Sequence, residues 1–437
     1  MPAASAGAQR IPFLAGDAVR GIAMTCVIVL HLAGGSLVLT DLYSVNNFSS
    51  YGRVPGTAMY TLEFAVPMFF VLSGYLISGP WIRAYVLGRP TPSVRRYLRN
   101  RALRIVPVFW LLSAVMLAIY GTYGSSPLDV TAIFGFGQVY DKSGAQLFLG
   151  QAWSIDVEVA FYLLVPVVAI LLIVATRRVS VVVGRDLSPR GRVVLVLSLV
   201  TVGAVASAWL RATHFGTLWT DAPVATLYSF APGIALAALE IELAGPIARR
   251  RPRLLAPILG LCAVGLAVVV VVAASSDPIA MSRARGELAV VGVCGLAVAA
   301  LLARQLVRGD SPRWVDNRVT RWLGARSYPC YILQSATIAS SVAVIGRVSG
   351  VPWIELLALS AFVLPVTFAI GAVVHAAFER PVLAWGRGRG PRNGGGHRAQ
   401  DPPAAVVGTP VKPVGAEPPS AASSAAPLGE PSPVQAS

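Results

Sequence analysis

The chain has 437 residues, of which 55% are hydrophobic and only 13% are charged, against roughly 25% charged residues in an average soluble domain. This composition excludes an intrinsically disordered protein and a protein of the nucleic-acid-binding type. The formal net charge of +16 has two explanations: a polyanionic partner, or arginines in the loops of a membrane protein. The positions of the arginines distinguish the two.

Ten stretches are long and apolar enough to cross a bilayer as helices, which takes about 20 residues each. The first has no basic segment before it and no small-residue cleavage site after it, so we expect it to remain in the mature protein. The sequence therefore predicts an all-α polytopic membrane protein with about ten transmembrane helices. The stretches are residues 20–40, 58–80, 105–120, 156–176, 193–210, 221–239, 254–274, 288–303, 327–346 and 354–377.

Basic residues are distributed unequally between alternate loops. The loops after the even-numbered spans two to eight contain 22 arginines, whereas the loops after the odd-numbered spans contain six arginines and lysines in total. Cytoplasmic loops of membrane proteins are enriched in arginine and lysine. This pattern predicts that both termini are cytoplasmic in a multi-pass protein of the inner (plasma) membrane, and it explains the net charge without a nucleic acid partner.

The composition changes at Gly386, where a glycine- and arginine-rich segment begins and leads into a proline, alanine and serine tract that ends at Ser437. Such a segment buries too little apolar surface to offset the entropy lost on ordering. We predict a membrane domain at residues 1–385 and a disordered cytoplasmic tail at residues 386–437.

The four cysteines, Cys26, Cys262, Cys294 and Cys330, lie in apolar stretches and form no CxxC pair. This pattern favours small core side chains over a disulfide framework or a zinc site. We expect neither a metal nor a permanently bound cofactor.

One titratable residue lies midway along the first span. His31 follows Arg20 by eleven residues, so at 100° and 1.5 Å per residue the two share a helix face and lie about 16 Å apart along the axis. This suits a substrate with an anionic end at Arg20 on the cytoplasmic side and a reactive end at His31, acting as general base. The alternative is a histidine that only hydrogen-bonds between helices and an arginine that only anchors the span.

A second polar group opens the fourth span with Trp153, Ser154, Asp156 and Glu158. Helix capping and the helix dipole explain Ser154 and Asp156. Glu158 lies deeper, at a depth comparable with His31. A carboxylate there can orient the imidazole and stabilise its cation.

Two further motifs accompany these residues. Ser73 and Gly74 are small residues in a bulky span, and close helix packing is the preferred interpretation. Arg96, Arg99 and Arg104 belong to an arginine-rich cytoplasmic segment. That segment suits either the phosphates of a soluble nucleotide cofactor or anionic lipid headgroups, and the sequence does not separate these.

The last two spans also contain polar residues. Gln334 can hydrogen-bond within the ninth span but cannot titrate. His375 and Glu379 are four residues apart in the tenth, which favours a structural pair on one helix face.

Together these residues resemble membrane acyltransferase family 3, whose members O-acylate carbohydrates of bacterial envelopes and some natural products. The resemblance extends from about Phe13 to Pro381, and it matches the family's ten-span architecture. Each motif is weak alone, but their order and their positions on the spans make the set specific. The motifs are Asp17-x-x-Arg20-Gly21 followed by His31, Phe69–Tyr75, Arg104-Ile105-x-Pro107, Trp153-Ser154-x-x-Val157-Glu158 with Phe161-Tyr162-Leu163, and Phe378-Glu379-x-Pro381.

The resemblance implies transfer of an acyl group, often acetyl, from cytoplasmic acyl-coenzyme A to a hydroxyl of a carbohydrate or glycoside. It also implies that Arg20 and His31 are essential, while Gln334 replaces a histidine found in many members, which puts a proton-transfer role for this position in doubt. The candidate site therefore has His31 and Glu158 as catalytic residues and no metal. The candidate substrate- or acyl-coenzyme A-binding residues are Arg20, Arg96, Arg99, Arg104, Ser73, Trp153 and Ser154.

Two other functions compete with this interpretation. A multi-span transporter of a small molecule or lipid-linked glycan predicts internal repeats with interrupted helices, and no clear repeat is visible. A lipid-linked glycan polymerase or ligase predicts a long outside loop, whereas the longest here, about residues 121–155, is modest.

Overall fold

The computed structural model describes residues 13–38, 62–121, 126–140, 149–213, 222–243, 284–345 and 351–388. Within these ranges the chain is helical and contains no β-strand, which confirms the all-α prediction. The predicted seventh span at residues 254–274 lies outside the described residues. So does the predicted tail from residue 389 onward.

Thirteen α-helices are described, and several are joined or extended by short 3₁₀ or π segments. They are α1 Gly16–Val38, α2 Ala65–Val86, α3 Val94–Tyr120, α4 Pro127–Phe134, α5 Trp153–Val183, α6 Pro189–Thr213, α7 Pro223–Thr226, α8 Ala231–Leu243, α9 Ala284–Arg308, α10 Arg318–Ala325, α11 Ser327–Ile345, α12 Pro352–Val374 and α13 Arg380–Gly388.

Eight of the described helices are long and apolar enough to cross a membrane, which confirms a polytopic membrane protein. A ninth span is broken: the segments Pro223–Ser229 and Ala231–Ile241 meet at an angle of 47°. These nine correspond to nine of the ten predicted spans.

Several helices are longer than the predicted spans, because amphipathic turns adjoin the apolar segments. The third helix begins at Val94 rather than at residue 105, and the Ser93 side chain caps it by accepting a hydrogen bond from the Arg96 backbone N–H at 3.4 Å. The arginine-rich segment is therefore the first part of a helix rather than a loop, and this gives its arginines fixed directions.

Glycines allow the helix backbones to approach closely in the bundle. A Cβ added at Gly233 would collide with the backbone carbonyl of Val71, and one at Gly74 would collide with that of Phe230, so α2 and α8 are in backbone contact. Gly324 of α10 lies equally close to the backbone of Asp17 at the start of α1. In lipid, such close packing replaces the hydrophobic effect as the force that joins helices.

A buried ion pair adds to the contact between α2 and α8. Arg83 Nη1 donates to Glu240 Oε2 at 3.0 Å, and the Tyr75 hydroxyl donates to the same oxygen at 3.0 Å. The Glu240 side chain is only 1% exposed. A buried carboxylate needs such partners, so this cluster specifies how the two helices align.

We expect Gly233→Ala to destabilise the protein by about 1–3 kcal/mol, because the added methyl group forces α8 away from α2. Gly203→Ala is the matched control, since a Cβ at this α6 position meets nothing within 4 Å. The measurement is the thermal unfolding midpoint of each detergent-solubilised variant. Equal midpoints for the two variants would contradict the close approach of α2 and α8.

Candidate active site

A cavity of about 90 Å³ lies inside the bundle, between α1, α2, α3, α5 and α11. That volume accommodates several water-sized groups. Its wall is apolar on the α2 side and carries charged and hydroxyl groups elsewhere, as ligand pockets commonly do. The lining residues are Arg20, Val66, Phe69, Phe70, Ser73, Leu76, Ile77, Arg101, Arg104, Ile105, Ser154, Ile155, Glu158, Tyr162, Ser327, Tyr328 and Tyr331.

Three arginines give the cavity a cationic wall. Arg20 is paired with Asp17 at 3.0 Å, and its side chain remains 20% exposed. Arg101 lies over the ring of Tyr162, 5.5 Å from its centroid. The guanidinium of Arg104 has no hydrogen-bond or ion-pair partner among the described residues, so it is free to bind an anion.

Glu158 is the carboxylate that faces these arginines. Its Oε1 accepts hydrogen bonds from the Ser73 hydroxyl at 2.6 Å and from the Tyr162 hydroxyl at 2.7 Å. Tyr162 lies one helical turn after Glu158 on α5, and Ser73 reaches across from α2. The cavity is therefore lined by three guanidiniums and one hydrogen-bonded carboxylate, an arrangement that favours an anionic ligand.

Hydroxyl groups continue the cavity wall toward the start of α5. The hydroxyls of Ser154 and Tyr331 are 2.7 Å apart, and the Tyr331 hydroxyl donates to the Gln151 carbonyl at 2.9 Å. The Ser335 hydroxyl donates to Gln151 Oε1 at 2.7 Å. These bonds join the start of α5 to the middle of α11.

His31 lies beside this region but is not one of the cavity-lining residues. Its Nδ1 is 3.1 Å from Oε1 of Gln334, which is fully buried on α11. Gln334 follows the cavity residue Tyr331 by three positions, so the two lie on neighbouring turns of the same helix face. The polar path from the cavity to His31 therefore runs along α11.

The expected contact between Glu158 and His31 was wrong. The structure pairs His31 with Gln334 and pairs Glu158 with Ser73 and Tyr162. A similar depth in the membrane does not determine which helix faces meet, because the rotation of α5 about its axis is set by packing. The catalytic role of each residue remains a prediction.

The other predicted binding residues divide into two groups. Ser73, Ser154, Arg20 and Arg104 line the cavity as one set. The other three do not line it. Arg96 is exposed, and Arg99 is half-buried on another face of α3. The ring of Trp153 packs against that of Phe70, with the two ring centroids 6.0 Å apart. Ser154 also does not cap α5, because the N-cap is Ala152 and the Ser154 hydroxyl instead contacts Tyr331.

Four polar residues of the cavity wall were not predicted to bind substrate: Tyr162, Ser327, Tyr328 and Tyr331. Arg101 belongs to the arginine-rich segment predicted to suit phosphates or lipid headgroups, and it shares a helix face with Arg104. The tyrosines gave less signal, because aromatic side chains in spans are usually packing residues.

The remaining polar and sulfur-containing candidates, His375, Glu379, Cys294 and Cys330, take part in helix packing rather than in the cavity. His375 Nδ1 and Glu379 Oε2 are 2.7 Å apart within the π-helical segment His375–Glu379, as the structural pairing predicted. Cys294 and Cys330 are buried and unpaired, which confirms their assignment as core side chains. In the part of the chain that the structure describes, no cluster of three or more His, Cys, Asp or Glu side chains could hold a metal.

Comparison with known proteins agrees with the motifs. A family model described as an acyltransferase domain matches residues 14–372. The exopolysaccharide production protein ExoZ of Rhizobium meliloti (strain 1021) is 31% identical over 104 residues, which are 22% of this chain and 31% of that relative. The match thus spans less than a third of the relative's length. No solved structure matches the chain. Because the family model covers most of the sequence, the chain belongs to membrane acyltransferase family 3.

Proposed function

We propose that this protein is an O-acyltransferase that moves an acyl group, with acetyl expected, from cytoplasmic acyl-coenzyme A to a carbohydrate hydroxyl. The observation that carries the proposal is the cavity that Arg20, Arg101 and Arg104 line, within a chain that belongs to an acyltransferase family. The arginine-rich loops support a plasma-membrane location with this cationic wall toward the cytoplasm.

The arginines suit the phosphate groups of the donor. A guanidinium binds phosphate through two parallel N–H···O bonds, and such charge-assisted bonds are about twice as strong as neutral ones. Arg104 has no competing partner among the described residues, whereas Arg20 is already held by Asp17. We therefore assign direct phosphate binding to Arg104 first, with Arg20 oriented by its ion pair.

His31 supplies the base of the proposed reaction. Its imidazole removes the proton from the acceptor hydroxyl while that oxygen attacks the thioester carbonyl carbon. The C–S bond then breaks, the new ester C–O bond remains, and the imidazolium returns its proton to the departing thiolate. Direct transfer needs the acceptor and the thioester to meet at His31.

The spacing along α1 supports this division of roles. Arg20 and His31 lie eleven residues apart on one helix face, or about 16 Å along the axis. A donor whose phosphates remain at Arg20 and Arg104 would extend through the cavity past Ser154 and Tyr331. Its thioester end would then approach the His31 side of α11.

A carbohydrate acceptor rests on the family and on the printed name of the relative, which concerns exopolysaccharide production. The hydroxyl groups of Ser154 and Tyr331 fit such an acceptor, since each can donate to or accept from a sugar hydroxyl.

One observation bears on the transporter alternative. The helix broken between Pro223–Ser229 and Ala231–Ile241 is a feature of transporters, whose interrupted helices line the substrate site. Here no residue of the range 222–243 lines the cavity. Gly233 instead packs on the backbone of Val71. The break therefore favours a packing role over a transport role.

We expect His31→Ala to abolish acyl transfer while the protein still inserts into the membrane, because the variant lacks the base for the acceptor hydroxyl. The measurement uses membranes incubated with radiolabelled acetyl-coenzyme A and candidate glycans, followed by identification of the labelled product.

The matched control is His375→Ala, which removes a second membrane histidine whose hydrogen-bond partner is Glu379 and which does not line the cavity. This control should retain acyl transfer at a comparable protein level. Wild-type activity in His31→Ala would show that His31 is not the base.

We expect Arg104→Ala to raise KM for acetyl-coenzyme A about tenfold or more, the typical effect of losing one charge-assisted hydrogen bond. Arg95→Ala is the control, because Arg95 is exposed on the same helix and does not line the cavity. Initial rates at varied acetyl-coenzyme A concentration give KM and kcat for each variant. An equal KM in the two variants would remove Arg104 from the donor site.

A further inference from the structure

The hydrogen bond between His31 and Gln334 restricts which imidazole nitrogen carries the proton. Nδ1 of His31 lies 3.1 Å from Oε1 of Gln334. An amide oxygen accepts hydrogen bonds and never donates them. Neutral His31 must therefore carry its proton on Nδ1 to make this bond, and the lone pair available for chemistry lies on Nε2.

We infer that Gln334 is a positioning residue, whose amide oxygen holds His31 as the Nδ1–H tautomer and so makes Nε2 the base. The inference rests on the proposed acyl transfer, because only that reaction gives the Nε2 lone pair a task. Gln334 then has the orienting role that a carboxylate has in a catalytic triad, but without a charge.

The surroundings of Gln334 hold its side chain in place. The residue is fully buried, and the Thr337 hydroxyl donates to its backbone carbonyl at 3.0 Å. The hydroxyls of Thr337 and Thr367 are 2.6 Å apart, which ties this turn of α11 to α12. The Gln151 amide donates to the carbonyl of Ile332 at 2.9 Å, which ties the preceding turn to α5. A side chain on so firmly held a helix can set the ring orientation of its partner.

A second observation sets Gln334 apart from an ordinary packing residue. Its amide nitrogen Nε2 is buried and has no hydrogen-bond partner in the described part of the chain. Buried polar groups are nearly always satisfied, and those that are not call for an explanation. Packing alone would be served better by Leu or Met, so the contact of Oε1 with His31 is the feature that explains a glutamine here.

The imidazole proton can be located directly by nitrogen NMR. The chain has four histidines, so protein labelled with ¹⁵N-histidine gives few signals, and the spectrum of His31→Ala assigns those of His31. We expect a protonated Nδ1 and an unprotonated Nε2 at neutral pH. A proton on Nε2 would overturn the inference, because the amide would then be donating to Nδ1 in the opposite orientation.

Kinetics of the full-length protein test the consequence. We expect Gln334→Met, which keeps the side-chain size but removes the hydrogen-bond acceptor of His31, to lower kcat about tenfold with KM for acetyl-coenzyme A unchanged. In Gln334→Glu a carboxylate oxygen again accepts the hydrogen bond from His31, so kcat recovers. A carboxylate there also stabilises the imidazolium, so the acid limb of the pH–rate profile moves to higher pH.

Ser341→Ala is the matched control, since it removes a buried hydroxyl about two turns further along the same helix, and it should retain the wild-type kcat. Equal losses in Ser341→Ala and Gln334→Met, with no recovery in Gln334→Glu, would show a merely structural role. If Gln334→Met fails to fold, the NMR spectrum of the wild-type protein still shows which imidazole nitrogen of His31 carries the proton, and a proton on Nε2 overturns the inference. A wild-type protein without acyl transfer would refute the proposed function itself, and an active His31→Ala would refute His31 as the base. An inactive His31→Ala with the proton on Nε2 would refute only the positioning role of Gln334.

Discussion

The cost of placing ionised groups inside an apolar helix bundle governs the arrangement of this protein. A charge within the membrane needs partners or a polar cavity, and Glu240, Glu158 and Arg104 each have one or the other. Glu240 is held by Arg83 and Tyr75, and Glu158 is held by Ser73 and Tyr162. Arg104 has neither hydrogen bond nor ion pair among the described residues, and it faces the cavity. The cavity therefore contains a guanidinium without an anionic partner in the described part of the chain, at the position where the proposed donor would bind.

Polar groups in the bundle fall into two centres with different chemistry. The first contains the arginines and Glu158, and its surplus of positive charge suits recognition of phosphate. The second contains His31 and the uncharged Gln334, which suits the proton transfer proposed for the imidazole. The proposed recognition and the proposed proton transfer therefore lie at separate positions in the bundle, each with its own neighbours. α1 joins the centres because Arg20 belongs to one and His31 to the other.

Much of the fold could be predicted from the sequence. Hydropathy located nine spans that the described residues confirm, since an apolar run of about 20 residues has no other stable state in a bilayer than a helix. The start of α3 was missed because Val94–Arg104 is amphipathic rather than apolar. The candidate site was predicted in part: Arg20, Arg104, Ser73 and Ser154 meet at one cavity, but Tyr162, Tyr328 and Tyr331 were not expected there.

The sequence by itself determined the helical class, the family and the shared helix face of Arg20 and His31, because each depends on local composition or on spacing within one helix. Only the tertiary structure decided the partners across helices. His31 meets Gln334, 303 positions away, and Glu158 meets Ser73, 85 positions away. Such contacts depend on the rotation and offset of each helix, which are set by glycine contacts such as Gly324 on Asp17 and Gly233 on Val71. Hydropathy carries no information about rotation when a span is apolar all round, so the partner of the histidine could be found only in the folded bundle.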